Sequence, residues 1–262
     1  MVELSFSYAD LEYFLFILTR VTCFIFIVPF FNGNNSTPRR VKVALGVFIS
    51  ILVYNMLPAH EIVNYTSVLG YTTIILKEAA TGLLIGFSAN ICTMIMSFAG
   101  HMVDMDIGLS MASLMDPSTR ENTTLTGLLY QYAMMLMLIC TGMYQYLLKA
   151  LIETFTLIPI NGAVFHTEKI MTAMVTFLSE YIIIGFRICL PVFATITLLN
   201  AILGILAKSA PQLNMFSVGM QLKILIGLAV MFVTAGMLPD ASNFIFIEMK
   251  KMMVSFVQAM LV

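Results

Sequence analysis

The stretch Asn122-Thr-Thr-Leu-Thr-Gly-Leu-Leu-Tyr-Gln-Tyr-Ala-Met-Met-Leu-Met-Leu-Ile-Cys-Thr-Gly-Met-Tyr-Gln-Tyr-Leu-Leu148 contains no Asp, Glu, Lys or Arg. A hydrocarbon core about 30 Å thick needs roughly 20 mostly apolar residues in one helix. Residues 79–103 and 188–207 are equally free of charge. A soluble protein has no use for several such runs. Among the 262 residues, 60% are hydrophobic and 10% charged, where soluble domains carry about 25% charge. No polar stretch is long enough to fold separately, so residues 1–262 read as one integral membrane domain.

In lipid every backbone polar group must be satisfied within the protein, which leaves helices and closed barrels. Alternating ten-residue strands are absent, and the fold class is therefore all-α. Six apolar segments stand at residues 11–31, 41–57, 69–98, 125–152, 171–207 and 218–238, with a seventh, amphipathic piece from Ala241 onward. Turn residues separate them: 31–38, Pro58, Asp116-Pro117-Ser118-Thr119 and Pro159-Ile-Asn-Gly162. Pro191 inside the fifth segment predicts a kink or break. That segment would reach about 55 Å, so it is broken, strongly tilted, or extends beyond the bilayer.

The net charge of −1 and the lack of a basic run give no reason to expect nucleic acid. Acidic Glu3, Asp10 and Glu12 precede the first apolar stretch, and no Lys or Arg stands before Arg20, which is the reverse of a cleavable signal peptide. Cys23, Cys92, Cys140 and Cys189 lie far apart within apolar segments and read as inert buried thiols. The positive-inside rule fits Arg39, Arg40, Lys42, Lys208 and Lys223, but fails at the acidic connection holding Asp104, Asp106, Asp116 and Glu121.

Arg20, Lys77, Glu78, Glu180 and Arg187 fall within or at the edges of apolar segments. A charge at a helix centre costs about 2.5–3.5 kcal/mol on insertion scales, so these residues are expected against protein, with partners on other subunits. Snorkelling to the interface is the plain alternative. Gly82-Leu-Leu-Ile-Gly86 is a GxxxG run that permits close helix packing.

Catalytic patterns are missing. The chain has no GxxxxGK[ST] phosphate loop and no HExxH. His60, His101 and His166 do not pair at ligand spacing; His101, Asp104 and Asp106 could in principle hold a cation, but an acidic loop is ordinarily just solvated. Ser110 lacks the flanking glycine of an intramembrane serine protease, and Asp104 and Asp106 share one segment, unlike a paired-aspartate protease. The 22 methionines include Met102, Met105, Met111 and Met115 around the acidic connection. They read as apolar filler, as a soft-metal path for copper(I), or as a deformable seal around threaded polypeptide.

Several motifs, in order, resemble the FliR family of flagellar type III export gates, whose virulence counterparts are the SctT proteins. They are Val28-Pro-Phe30, Pro38-Arg-Arg-Val-Lys42, Lys77-Glu-Ala-Ala-Thr-Gly82 running on to Gly86, Ala99-Gly100 leading to Asp104, Gly108 and Asp116-Pro117, Pro191, the run from Ala207 to Phe216 containing Pro211-Gln-Leu-Asn214, and Lys223-Ile-Leu-Ile-Gly227. Lys208 stands where the family pattern carries a loop arginine. The resemblance implies a FliP-like front (residues 1–186) fused to a FliQ-like helical hairpin (residues 187–262), packed in a helical hetero-oligomer. It implies a non-enzymatic subunit without cofactor or bound metal, forming with FliP and FliQ, above FlhB, the pore through which unfolded rod, hook and filament proteins leave. The setting implied is the flagellar basal body in the bacterial inner membrane.

The resemblance also implies a plug loop at about residues 107–122, with Met105, Gly108, Met111, Met115, Asp116 and Pro117 shaping or sealing it. Glu78, Gly82, Gly86, Glu180 and Arg187 are the expected subunit-packing residues. Lys208, Pro211, Gln212, Asn214 and Lys223 are the expected cytoplasmic contacts with FlhB and FliQ. A homologous virulence gate and a Met-lined small-solute or metal transporter remain as alternatives.

Overall fold

The computed structural model describes residues 8–29, 38–57, 65, 67–112, 114–115, 122–209 and 215–261. Eight α-helices run through them: α1 Tyr8–Ile27, α2 Arg39–Met56, α3 Val68–Ile107, α4 Leu125–Cys140, α5 Met143–Leu157, α6 Thr167–Ser209, α7 Met215–Thr234 and α8 Leu238–Met260. A short 3-10 turn, Leu109–Ala112, follows α3, and another, Ala235–Met237, joins α7 to α8. The only strands among the described residues are the two-residue pieces β1 Leu114–Met115 and β2 Asn122–Thr123, paired antiparallel with Leu114 opposite Thr123 and Met115 opposite Asn122. The protein is an all-α membrane protein. Val68–Ile107, Thr167–Ser209 and Val218–Met260 are long and apolar enough to cross a bilayer, and α4 with α5 would make a fourth, broken span.

Each sequence segment becomes helix, but the boundaries move for physical reasons. The third helix continues past Phe98 to Ile107, through His101, Asp104 and Asp106, because Asp104 is fully buried and hydrogen-bonded. The fourth segment splits at Thr141–Gly142, where Gly142 takes φ 69°, a conformation that glycine adopts without steric cost. Of the kink or break expected at Pro191, the break does not occur: α6 continues through it as one helix of 43 residues, about 65 Å long at 1.5 Å per residue. Of the three readings of that segment, tilt or projection beyond the bilayer remains. The sixth and seventh segments abut, separated by one 3-10 turn. Pro239 lies in the first turn of α8, where its missing N–H breaks no helical bond.

The chain forms two compact units. The first comprises Met1–Asn90, Gly142–Val175 and Met249–Val262; the second comprises Ile91–Thr141 and Thr176–Glu248. In the first, α1 buries Tyr13, Phe16, Ile17, Arg20, Val21, Phe24 and Ile25, the three-and-four spacing of a helical stripe. Against it α2 turns Lys42, Gly46, Ser50 and Val53 inward. The chain's end is tied in by Val164 N–H to Met260 O at 3.0 Å and His166 N–H to Ala259 O at 3.2 Å. In the second unit the core holds Ile95, Ala99, Val103, Ile107, Met134, Leu138, Val192 and Ile196. Two helix contacts there are close enough to require glycine. A Cβ on Gly185 would meet Phe98 Cδ1 at 2.4 Å, and one on Gly227 would meet Ile107 Cδ1 at 2.5 Å.

Candidate functional site

The first unit contains a buried ion pair. Arg20 and Glu78 have fully buried side chains, and Arg20 Nε donates to Glu78 Oε2 at 2.6 Å. Arg20 Nη1 also donates to the carbonyls of Thr154 and Ile158 at 3.1 and 3.0 Å. These lie at the C-terminal end of α5, where the helix dipole favours a cation; the Thr154 carbonyl also accepts the Ile158 N–H at 2.9 Å. Phe155 places its ring 4.4 Å from the guanidinium carbon, within cation–π range.

The second carboxylate oxygen of Glu78 accepts the backbone N–H of Asn161 at 3.0 Å, while Lys77 Nζ donates to Asn161 Oδ1 at 3.3 Å. Asn161 has φ 64° in a turn closed by Gly162 N–H to Pro159 O at 2.8 Å; asparagine tolerates this left-handed region better than most residues. The pair thus clamps α1, α3 and the turn after α5. Only Arg20 Nη2 is left without a hydrogen bond. This corrects one expectation: Arg20 and Glu78, expected to find partners on other chains, satisfy each other within this one.

Gly82 and Gly86 are part of the same construction. A Cβ on Gly82 would stand 2.3 Å from Arg20 O, and one on Gly86 would stand 3.0 Å from Phe24 O. The four-residue spacing on α3 matches that on α1, so the GxxxG run lets α3 lie on the α1 backbone.

The second unit contains the connection between α3 and α4. Gly108, at φ 91°, ends α3, with its N–H bonded to Asp104 O at 3.0 Å. No atom lies within 4 Å of where its Cβ would stand. Thr124, the N-cap residue of α4, makes no side-chain cap of its own. Asp104 caps the helix from outside: Oδ2 accepts the Thr126 N–H at 2.8 Å, and Oδ1 accepts the Thr126 hydroxyl. A carboxylate at a helix N-terminus satisfies a free N–H and opposes the positive end of the dipole.

Above this point His101 Nδ1 lies 3.3 Å from Thr124 Oγ1. A Cβ on Gly100 would fall 2.5 Å from Gly127 Cα, so the two backbones touch. The connection therefore leaves and returns through one tied neck, and the β1–β2 pairing closes it again further out.

The expected plug residues distribute along this connection. Met105 is exposed, Gly108 is the left-handed terminator, Met111 is in the 3-10 turn and Met115 is in β1. Asp116 and Pro117 lie outside the described residues, as do Pro211, Gln212 and Asn214. Lys208 is exposed near the end of α6. Lys223 is half-buried on α7, close enough for its charge to act on Asp106, whose Oδ2 is buried without a hydrogen bond. Glu180 is half-buried on α6 and makes no ion pair among the described residues. Arg187 is exposed, 6.0 Å over the Phe244 ring, and lines a cavity of about 280 Å³ with Tyr130, Thr234 and Asp240.

Sequence reasoning missed the Asp104–Thr126 cap and the role of Asn161. Asp104 stood out as a family-motif residue, a charge in the acidic connection and a poor cation ligand, but not as a helix cap, and among the described residues no three His, Cys, Asp or Glu side chains gather as a metal site. The available signal was Thr124 and Thr126 at the start of an apolar run, beside a helix whose polar residues are spaced to reach them.

Fold and interior together define a class: a helical membrane protein whose rare buried charges brace helices and anchor one hairpin-like connection. The chain belongs to the family described as bacterial export proteins, family 1, which it matches over residues 11–249. It is similar to the flagellar biosynthetic protein FliR of Bacillus subtilis, at 28% identity over 84% of this chain and 85% of that protein. Similarity to FliR of Escherichia coli is 25%, over 82% and 80%. The surface presentation of antigens protein SpaR of Shigella sonnei is 22% identical over 88% and 90%.

Proposed function

We propose that this chain is a subunit of the flagellar type III protein-export gate. Together with FliP and FliQ, and in contact with FlhB, it would form the inner-membrane pore for unfolded rod, hook and filament proteins. The observation that carries this reading, beside family membership, is uncovered apolar surface. In the best apolar window of each candidate span, 61% is buried for Val68–Ile107, 33% for Thr167–Ser209 and 6% for Val218–Met260. Surface of this kind on α6 to α8 suits neighbouring helices. In this reading residues 187–262 form a FliQ-like hairpin behind a FliP-like front, Glu180 and Arg187 face neighbouring subunits, and Lys208 to Lys223 meet FlhB and FliQ.

The connection between α3 and α4 is the plug in this reading, with Met105, Met111 and Met115 as pliable sealing side chains. It performs no catalysis, and no step requires a cofactor. Family membership favours polypeptide export over the metal-carrier alternative; the stronger identity to FliR than to SpaR favours the flagellar system over the virulence one. Mild-detergent purification of the tagged chain from its host should bring down FliP and FliQ. Isolation as a monomer, with cells that still export filament protein after the gene is deleted, would overturn the proposal. Removing residues 111–115 should make resting gates leak small ions; unchanged conductance would count against sealing.

A further inference from the structure

The cavity beside Arg187 has walls and a mouth of opposite character. It holds about 280 Å³, and its walls are largely apolar, with Ile184, Ile188 and Pro191 from α6 and Leu238 and Phe244 from α8. Sites for whole small molecules run from about 300 Å³ upward, so this one takes a segment of chain, and its walls suit hydrocarbon. The mouth carries two exposed charges, Arg187 and Asp240. They form no ion pair with each other or with another described residue.

Pro191 adds a third polar feature. A proline has no N–H to give the carbonyl four residues before it, and here that carbonyl belongs to Arg187. The residues at this mouth thus offer a guanidinium, a carboxylate and a carbonyl without its helical donor.

The depth of the mouth follows from the charges on α6. Residues 188–207 are charge-free, with Arg187 at one end and Lys208 at the other. These 20 residues rise about 30 Å, the thickness of a hydrocarbon core. A core laid along this run has Arg187 at the headgroup level of the leaflet opposite Lys208, with Asp240 on the same cavity. It also leaves Glu180, seven residues before Arg187, outside the hydrocarbon.

We propose that this cavity holds one phospholipid whose zwitterionic headgroup bears a primary amine. The phosphate would meet the Arg187 guanidinium, the ammonium would meet the Asp240 carboxylate and the Arg187 carbonyl, and one acyl chain would enter the apolar space. A lone cation would accept any anionic lipid. The carboxylate beside it repels a net negative headgroup and gives an ammonium its partner, so it sets the preference. A quaternary ammonium has no N–H to donate and fits less well. The site lies within this chain and does not depend on the export reading; in an assembled gate the lipid would fill space between Arg187 and the neighbouring subunit.

The test is native mass spectrometry of the purified full-length chain, with any subunits that accompany it, offered phosphatidylethanolamine, phosphatidylglycerol and phosphatidylcholine in equal amounts. One tightly held phosphatidylethanolamine per chain is expected, ahead of the other two. Arg187→Gln should weaken its retention about tenfold, the factor for one hydrogen bond to a charged group. Asp240→Asn should reduce the preference over phosphatidylglycerol. Ala241→Phe, which fills the cavity from its wall, should lose the lipid.

Equal retention of the three lipids by the wild type would overturn the proposal, as would unchanged retention in Arg187→Gln. If a charge variant fails to purify, the wild-type headgroup preference and Ala241→Phe decide. A photo-reactive residue at Ile188 should give a lipid adduct. A protein adduct alone would mean that a neighbouring subunit's side chain fills the cavity, and would also overturn the proposal.

Discussion

Arg20–Glu78 and Asp104–Thr126 are two answers to the same difficulty, a charge with no access to water. In the first unit opposite charges meet, and nearly all their remaining polar atoms reach backbone groups at the end of α5 and in the turn after it. In the second unit a lone carboxylate is satisfied by the start of a helix. The difference separates their consequences. The ion pair joins three places far apart in sequence, so its removal affects the whole unit. The cap joins the two ends of one connection, so its removal acts locally. A buried pair is a weak guide to stability, because desolvation offsets much of its attraction, whereas removing one partner alone is costly.

The largest expected effect comes from breaking the pair on one side. Arg20→Ala leaves Glu78 buried and uncompensated, a loss of about 3–5 kcal/mol. It should appear as a clear drop in the denaturation midpoint of the purified protein in detergent. The double variant Arg20→Met with Glu78→Leu removes both charges and should lie within about 1 kcal/mol of wild type, since apolar replacement of a buried pair is often neutral. A double variant as unstable as the single one would mean that the contacts to Thr154, Ile158 and Asn161, not the pair, hold the clamp.

Next in size is the helix contact beneath the pair. Gly82→Ala drives a Cβ into Arg20 O and should cost about 1–3 kcal/mol in the same unfolding measurement. Gly86→Ala, with its closest atom at 3.0 Å, should cost less. Reversal of that order would place the tight crossing elsewhere.

The smallest effect lies outside the core, at Tyr65. Its hydroxyl donates to Glu12 Oε1 at 2.5 Å, and this bond to a carboxylate, with some burial, pushes the phenol up to about 12. A raised pKa means the protonated phenol is favoured in the fold. Its contribution is complete below the ordinary tyrosine value of about 10 and is lost as pH rises through about 12. A tyrosinate absorbance titration compared with Tyr65→Phe should show one late-ionising phenol, and Glu12→Gln should bring it down. No change with Glu12→Gln would dismiss the contact.

Much of this architecture was legible in the charge-free runs, because bilayer thickness and backbone hydrogen bonding leave few options. The start of α2 near residue 40, the turn at 159–162 and the close packing at Gly82 and Gly86 all follow from local chemistry. What the sequence hid was context. The polar residues Asp104 and Asp106 suggested a loop, yet α3 runs through both, because Asp104 finds its partners on α4. Pro191 suggested a kink or break, and α6 continues through it unbroken. Thr141-Gly142 lies within an apolar run and gave no hydropathy signal, yet Gly142 turns the chain. Arg20 and Glu78 stand 58 residues apart, a separation at which no local pattern announces a partner.

The central claim is that the apolar surfaces of α6 to α8 face sibling proteins. It is tested most directly by placing a photo-reactive residue at exposed Leu198 and, separately, at exposed Phe232 in living cells. The account predicts discrete protein adducts from both positions, containing export-gate subunits. Adducts with lipid alone, from a chain that remains monomeric, would contradict it.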